Sequence, residues 1–360
     1  MHEICVDIRM ASYSGIGTYL TNLIRRLVQT GSFKMTLIHL PGCQFAESLI
    51  EDENVTCIHC DAPIYSIAEQ FWLKKLIPKE TKLFWSPHYN IPLFYKGRLL
   101  VTVHDVFHLA MPHFTKGLHK RAYARFMFQA LSKKADSVIT VSEFTARELV
   151  RLTGIDQSNI SVVHNGVDDV WFEKKNSKSL HGRPYVVYVG NIKPHKNLKK
   201  LVRAFNQIKN KVVQDLIIIG SGEGLITGDR EVEKLAGSLK DRVHFTGHVN
   251  EEQLRQYVSG ADLMIFPSLY EGFGLPPLEA MASGTPVVTS ETASMPEVCG
   301  DAALYFDPQS IESISEKILQ VLKDKNIQAD LSQRGIQHAR GFSWDKCAGK
   351  TATVINNCLR

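Results

Sequence analysis

Short apolar runs alternate along this chain with stretches in which apolar residues return every three or four positions. The runs fall at 4–8, 36–40, 55–59, 83–85, 99–103 and 137–141, then at 185–190, 216–220, 243–246, 263–266 and 287–289. Their length and their Val and Ile content predict buried strands. Ile16, Leu20, Leu23, Ile24, Leu27 and Val28 share one helical face, which predicts a helix over 16–29. The same spacing predicts helices over 121–134 and 143–152, the second opened by Ser142 as its cap. Further helices are expected near 198–208, 230–239, 251–258, 277–283, 310–323 and 344–358. Strands alternating with helices argue for an α/β protein with two parallel-sheet domains. Residues 168–183 are polar, with Lys174, Lys175, Asn176, Ser177, Lys178 and Ser179, and are the candidate linker between them.

Composition narrows the class. At 360 residues, 44% hydrophobic and 22% charged, the chain has the make-up of a soluble globular protein of two ordinary domains. No apolar run approaches the roughly 20 residues of a membrane span. The start, Met1 to Val6, enters a strand directly and reads as lacking a secretory signal. The seven cysteines are irregularly spaced, and Cys5 lies in a core strand, so reduced thiols and a cytoplasmic setting are expected. Cys57, His59 and Cys60 mimic half a zinc site, but no second pair accompanies them. A net charge of +5 is too mild to argue for nucleic acid. It is compatible with anionic substrates, or with peripheral contact with an anionic membrane.

The densest chemistry follows the run at 263–266. Gly272 and Gly274 let the backbone turn tightly and approach a ligand. Pro276 and Pro277 suit the first turn of a helix, and Gly284 and Pro286 end it. The N–H groups of such a helix start form an anion site. Glu271 and Glu279, with seven residues between them, bracket the loop, the first at its mouth and the second about one turn inside the helix. A carboxylate accepts hydrogen bonds at both oxygens, so the pair suits a polyhydroxylated ligand. With phosphate as the anion, the ligand is a sugar nucleotide. Two solvated glutamates on a Gly/Pro turn would explain either residue alone but not the constellation.

Other positions repeat the theme. Lys193 and Lys196 sit just before the helix at 198–208, where the helix dipole disfavours cations. Their accumulation makes sense if a phosphate lies between. Gly15 and Gly17 form a Gly-x-Gly loop after the first strand. His104 and Asp105 close the strand at 99–103, at the end where open α/β sheets bind ligands. Asp105 would either orient His104 or cap the next turn. The stretch 114–128 mixes Lys116, Lys120, Arg121 and Arg125 with Phe114, Tyr123, Phe126 and Phe128, as a membrane-facing or acceptor-holding surface or an ordinary charged helix face would.

The run Tyr270-Glu-Gly-Phe-Gly-Leu-Pro276, followed by Leu278-Glu-Ala-Met-Ala-Ser-Gly-Thr-Pro-Val-Val288, resembles the Glu-x7-Glu signature of the retaining GT-B glycosyltransferases of family four. The resemblance covers most of 180–345 and, more loosely, 1–170. It implies the GT-B fold: two Rossmann-like parallel-sheet domains facing each other across a cleft that holds the donor. An acceptor-side domain at 1–167 and a linker at 168–183 would precede a nucleotide-sugar-binding domain at 184–343. A helix over 344–360 would cross back to the first domain. The resemblance further implies that Glu271, His104 and Lys196 are catalytic. Gly15, Gly17, Lys193, Lys196, Ser221, Val249, Gly272, Phe273, Gly274, Leu275 and Glu279 would bind the donor. His88, Tyr89 and Asp105 would serve the acceptor. Asn191 departs from the family pattern, which has a basic residue there, and Lys193 would supply the missing charge. Without an Asp-x-Asp motif, no metal and no cofactor are expected. The expected donor is GDP-mannose, from the look of the N-terminal half, with UDP-glucose, UDP-galactose or UDP-N-acetylglucosamine as alternatives. The acceptor would be a glycan or lipid-linked glycan of bacterial polysaccharide assembly, met in the cytoplasm or on the inner face of the plasma membrane. A sugar-nucleotide epimerase, a phosphorylase and a non-catalytic sensor are the rival classes.

Overall fold

The computed structural model describes residues 2–115, 117–173, 180–220 and 230–360. Met1, Lys116 and residues 174–179 and 221–229 lie outside them. Two compact units result, one of 1–166 with 343–360 and one of 167–342.

The first unit holds seven strands: β1 (His2–Asp7), β2 (Phe33–His39), β3 (Val55–His59), β4 (Leu83–Ser86), β5 (Leu99–Val103), β6 (Ser137–Thr140) and β7 (Ile160–Val162). They form one sheet in the order β3-β2-β1-β4-β5-β6-β7, and every pairing is parallel. The second unit holds β8 (Tyr185–Val189), β9 (Asp215–Ile219), β10 (Val243–Gly247), β11 (Leu263–Phe266), β12 (Val287–Ser290) and β13 (Leu304–Phe306). Their order is β10-β9-β8-β11-β12-β13, again all parallel. Parallel strands need crossover helices that cover both sheet faces, which is why the central strands read as unbroken apolar runs.

The helices are α1 (Ser14–Gln29), α2 (Gln44–Glu47), α3 (Ile67–Leu76), α4 (Phe107–Ala110), α5 (Leu118–Lys134), α6 (Glu143–Thr153), α7 (Leu198–Ile208), α8 (Arg230–Gly237), α9 (Glu251–Ser259), α10 (Leu275–Ala282), α11 (Met295–Cys299), α12 (Ile311–Lys323), α13 (Lys325–Ala339) and α14 (Trp344–Leu359). Ser142 caps α6 as expected, its hydroxyl accepting the Thr145 N–H at 3.0 Å. In the first unit Leu20, Leu23 and Leu27 of α1 are fully buried, and α14 lies against α1. Arg26 meets Asp345 at 2.7 Å there, and Tyr19 meets Trp344 edge-on at 6.3 Å. In the second unit Leu201 and Phe205 of α7 and Ile318 of α12 share a core with Val186, Leu216 and Leu263.

Three expectations change. The stretch 168–183 is not all linker: Asp168 accepts the Val170 N–H at 3.3 Å, and Asp169–Phe172 forms a 3-10 turn whose Trp171 is buried. Gly15 and Gly17 do not lie in a loop but inside the first turn of α1. Helices α3 and α13 and strand β13 add to the expected elements. Among the described residues no helix is long and apolar enough to cross a membrane, and all seven cysteines are free thiols.

Candidate functional site

Loops at the C-terminal ends of parallel strands converge, and in the second unit the loop leaving β11 is built most tightly. Its carbonyls are pinned from behind by hydroxyls. Ser290 donates to the Ser268 carbonyl at 2.6 Å, and Ser294 donates to those of Glu271 and Phe273 at 3.0 and 2.7 Å. The Leu269 N–H donates to the His195 carbonyl at 2.8 Å. Gly274 has φ +119°, and a Cβ on it would lie 2.4 Å from Cε of Met295, so only glycine fits. Gly272 and Phe273 are buried, while Leu275 opens α10 half-buried.

The loop brings two of the expected catalytic groups together. Lys196 ends a 3-10 turn, and the next residue, Asn197, donates through Nδ2 to the carbonyls of Pro267 at 3.1 Å and Pro308 at 2.8 Å. That bridge fixes the turn to the loop. Lys196 Nζ then lies 2.5 Å from Glu271 Oε1, with the two side chains 17% and 16% exposed. The ammonium also stands 6.0 Å from the Phe266 ring centroid. Lys196, expected to stabilise phosphate, is paired with Glu271 in the structure. Lys193, on the same turn, is exposed.

Glu279 sits one turn inside α10 and is half-buried. Burial pushes its carboxyl up to about 7, and the charges of Glu251 and Asp168 add to the shift. A carboxyl so placed gains from a ligand that donates hydroxyl hydrogen bonds to its anion. Val249 follows β10 and is half-buried. Ser221 and the rest of the Gly-rich stretch 220–224 beyond Gly220 lie outside the described residues.

In the first unit, His104 follows β5 and its Nε2 lies 2.9 Å from the Pro87 carbonyl. A carbonyl only accepts, so Nε2 carries the proton and Nδ1 is left as an acceptor. Burial lowers the imidazole to about 4, against the hydrogen bond to Pro87, and His88 pushes the same way. His104 is therefore neutral at physiological pH. Asp105 Oδ1 accepts the Phe107 N–H at 2.9 Å, bracing the turn that leads into α4. Gly17 donates its N–H to the Tyr13 carbonyl, and a Cβ there would meet the Ala11 carbonyl oxygen at 2.4 Å. Gly15 is exposed. His88 is buried, with Nδ1 accepting the Asn90 N–H at 3.1 Å, and Tyr89 stacks on Phe128 at 4.6 Å. That stacking takes Phe128 out of the expected basic and aromatic surface of 114–128, where Phe126 remains exposed.

Sequence reasoning missed a buried charge network beside His88. Arg9 bonds Asp7 at 2.6 and 2.8 Å and Glu69 at 2.5 Å. Glu69 accepts from Asn90 Nδ2 at 2.7 Å, and Asn90 in turn accepts from Tyr123. His88 Nε2 lies 3.8 Å from Asp7. Burial alone would raise the Asp7 carboxyl, but the Arg9 guanidinium overrides it and holds it well below the usual range. The available signal was Asp7 and Arg9 themselves, two charges closing an apolar strand.

Two Rossmann-like parallel-sheet units, with the candidate site residues grouped at C-terminal strand ends, make a GT-B architecture. The sequence agrees. The profile for glycosyl transferases group 1 matches residues 169–338, and that for glycosyltransferase family 4 matches 13–171. An O-antigen chain mannosyltransferase B of Escherichia coli is 30% identical over 94% of each chain. A D-inositol 3-phosphate glycosyltransferase of Mycolicibacterium smegmatis is 36% identical over 60% of this chain and 51% of its own. In fold, Anabaena HepE in complex with UDP and glucose superposes with TM-score 0.81 at 18% identity, covering 99% of this chain and 100% of its own. The chain belongs to the group 1, family 4 glycosyltransferases and is a glycosyltransferase.

Proposed function

We propose that this enzyme transfers mannose from GDP-mannose, with retention of anomeric configuration, to a glycan or lipid-linked glycan acceptor. The observation that carries the proposal is the Lys196–Glu271 pair fixed at the end of β11, one short loop from Glu279. Likeness over 94% of each chain to a protein named an O-antigen chain mannosyltransferase supports mannose as the sugar.

The chemistry follows from the groups present. The bond between the anomeric carbon and the diphosphate oxygen breaks, the acceptor hydroxyl oxygen takes its place on the same face, and the hydroxyl proton passes to the departing diphosphate. Negative charge grows on the departing diphosphate, where Lys196, Lys193 and backbone N–H groups at the start of α10 stabilise it without a metal. Lys196 then serves two anions, the phosphate and Glu271. Glu271 accepts hydrogen bonds from sugar hydroxyls and offsets the positive charge at the anomeric carbon. Glu279 accepts from the ribose hydroxyls. Neutral His104 offers Nδ1 as an acceptor to a donor-sugar hydroxyl. On the acceptor side, His88 and Tyr89 are positioned by the network of Asp7, Arg9, Glu69 and Asn90.

A lipid-linked acceptor calls for a way to meet a membrane, and the candidate surface in the first unit is on α3. Ile67, Phe71 and Trp72 are 83%, 62% and 42% exposed, and Phe71 packs at 5.4 Å on the exposed ring of Phe94. Exposed Lys74 and Lys75 flank them, Lys75 lying 5.5 Å from the Trp72 ring. Aromatic residues among lysines suit an anionic lipid surface. These exposed residues favour α3 over 114–128 as the peripheral contact.

Thermal shift with GDP, UDP and ADP tests the donor, because a ligand that binds the folded state raises its apparent stability. GDP should give the largest shift. A larger shift with UDP would favour a UDP-sugar donor, the alternative that the UDP and glucose complex of HepE keeps in view.

A further inference from the structure

At the N-terminal edge of the second sheet, the end opposite the Glu271 loop, Asp215 opens β9 and His244 is the second residue of β10. His181 stands just before β8. One ligand atom from each of the three lies within 4.8 Å of the others. The Asp215 carboxylate is 1% exposed and divides its oxygens between two kinds of partner. Oδ1 faces the arginines, 2.8 Å from Arg242 Nε and 3.5 Å from Arg183. Oδ2 faces the imidazoles, 2.8 Å from His181 Nε2 and 3.5 Å from His244 Nε2. Arg242 is a strut of the sheet edge, its other nitrogens donating to the carbonyls of Lys209, Val212 and Gln214 at 2.8, 3.0 and 2.6 Å.

A plain hydrogen bond accounts for His181 but not for His244. The His244 Nε2 atom is buried and has no hydrogen-bond partner among the described residues. A buried polar atom left in that state costs about 1–3 kcal/mol, so an unpartnered imidazole nitrogen aimed at a carboxylate oxygen needs a reason. We propose that His181, His244 and Asp215 bind one borderline divalent transition-metal ion, with Zn²⁺ as the best match. Two imidazole nitrogens and one carboxylate oxygen are the donor set such ions favour. Ligands about 2.0–2.2 Å from a tetrahedral Zn²⁺ lie about 3.4 Å from one another, so the 3.5 Å pair already fits. The 2.8 Å pair needs only a small opening. Water completes the coordination. The arginines on Oδ1 then play the outer-partner role, orienting the carboxylate that ligates through Oδ2. Both arginines add positive charge beside the ion, which sets the site at moderate rather than extreme affinity. The ion would fasten residues 180–184, which lead into β8, to the ends of β9 and β10. It is a structural ion, remote from the transfer chemistry, and it does not depend on the proposed donor.

The test titrates Zn²⁺ alone into the intact, tag-free chain against a chromogenic chelator, and follows Co²⁺ by its visible absorption. One equivalent should bind, with a Co²⁺ spectrum free of thiolate charge-transfer bands. Zn²⁺ should raise the Tm of the wild type. His181→Gln and His244→Gln keep hydrogen-bonding capacity but lose the imidazole. Each should weaken binding at least about tenfold, since even outer partners of metal ligands are worth about 10–100-fold. Each should also abolish the Tm rise. Absence of saturable one-equivalent binding, thiolate bands from the cysteines, or unchanged affinity in either variant would overturn the proposal.

Discussion

Glu279→Gln puts the electrostatics of the donor site under direct test. The Glu279 carboxyl is raised from an ordinary 4.5 to about 7, first by burial and then by Glu251 and Asp168. At neutral pH the folded chain therefore holds a proton that the unfolded chain has released. The sign follows by linkage. This contribution to stability is fully present below about 4.5 and is lost as pH rises through about 7. The difference, 7 − 4.5, is about 2.5, so at about 1.36 kcal/mol each the loss on going to alkaline pH is at most about 3.4 kcal/mol. Glu279 is only half-buried, and solvent screening brings that to about 1–2 kcal/mol. Glutamine cannot ionise. The variant should therefore gain on the wild type between pH 5 and 8, by about 2–8 °C in Tm at about 2–4 °C per kcal/mol. Nucleotide binding should move the other way, since a hydrogen bond to a charged group is worth about 1.5–3 kcal/mol. Scanning calorimetry of both proteins across that pH range, with and without GDP, reads both effects. Parallel Tm curves would refute the burial argument, and an unchanged GDP affinity would refute the ribose role.

Three further outcomes are expected. Glu271→Gln removes the charge while keeping the shape, so kcat at saturating donor and acceptor should fall about 10²–10³-fold with little change in GDP affinity; near-wild-type turnover would show that the charge is not catalytic. Transfer should persist in EDTA, and activity that is lost on chelation and restored by Mg²⁺ or Mn²⁺ would remove Lys196 and the start of α10 as sufficient partners for the diphosphate. Phe71→Ser with Trp72→Ser should reduce sedimentation with phosphatidylserine-containing vesicles while sparing GDP binding, whereas unchanged sedimentation would move the membrane contact off α3.

Much of the fold was legible because parallel strands are buried on both faces and so stand out as apolar runs. Expected and observed strands differ mainly by a residue or two at their ends, where hydrogen-bonding rather than hydropathy sets the limit. Helix α13 escaped notice because its apolar stripe is thin and Gly335 interrupts it. That glycine is a packing device: a Cβ there would lie 3.3 Å from Met281, so its absence lets α13 approach α10. Helix α3 was hidden for the opposite reason, since it turns Ile67, Phe71 and Trp72 outward and buries Glu69 and Gln70. Local chain order placed Glu271 beside its glycines, but the pairing of Lys196 with Glu271 spans 75 residues and could not be read from spacing. The same holds for Arg9 with Glu69, 60 residues apart. Spacing also did not show that Gly17 lies inside α1, where the missing Cβ allows the close approach of the Ala11 carbonyl.

The most direct test of the central claim is product analysis with both donors present. The enzyme is given equal GDP-mannose and UDP-glucose with a mannose-terminated lipid-linked acceptor. The released nucleotide is identified by chromatography, and the new anomeric proton by NMR. The account predicts GDP release and an α-linked mannose, the configuration of the donor. Release of UDP in place of GDP, or a β-linked product, would contradict it.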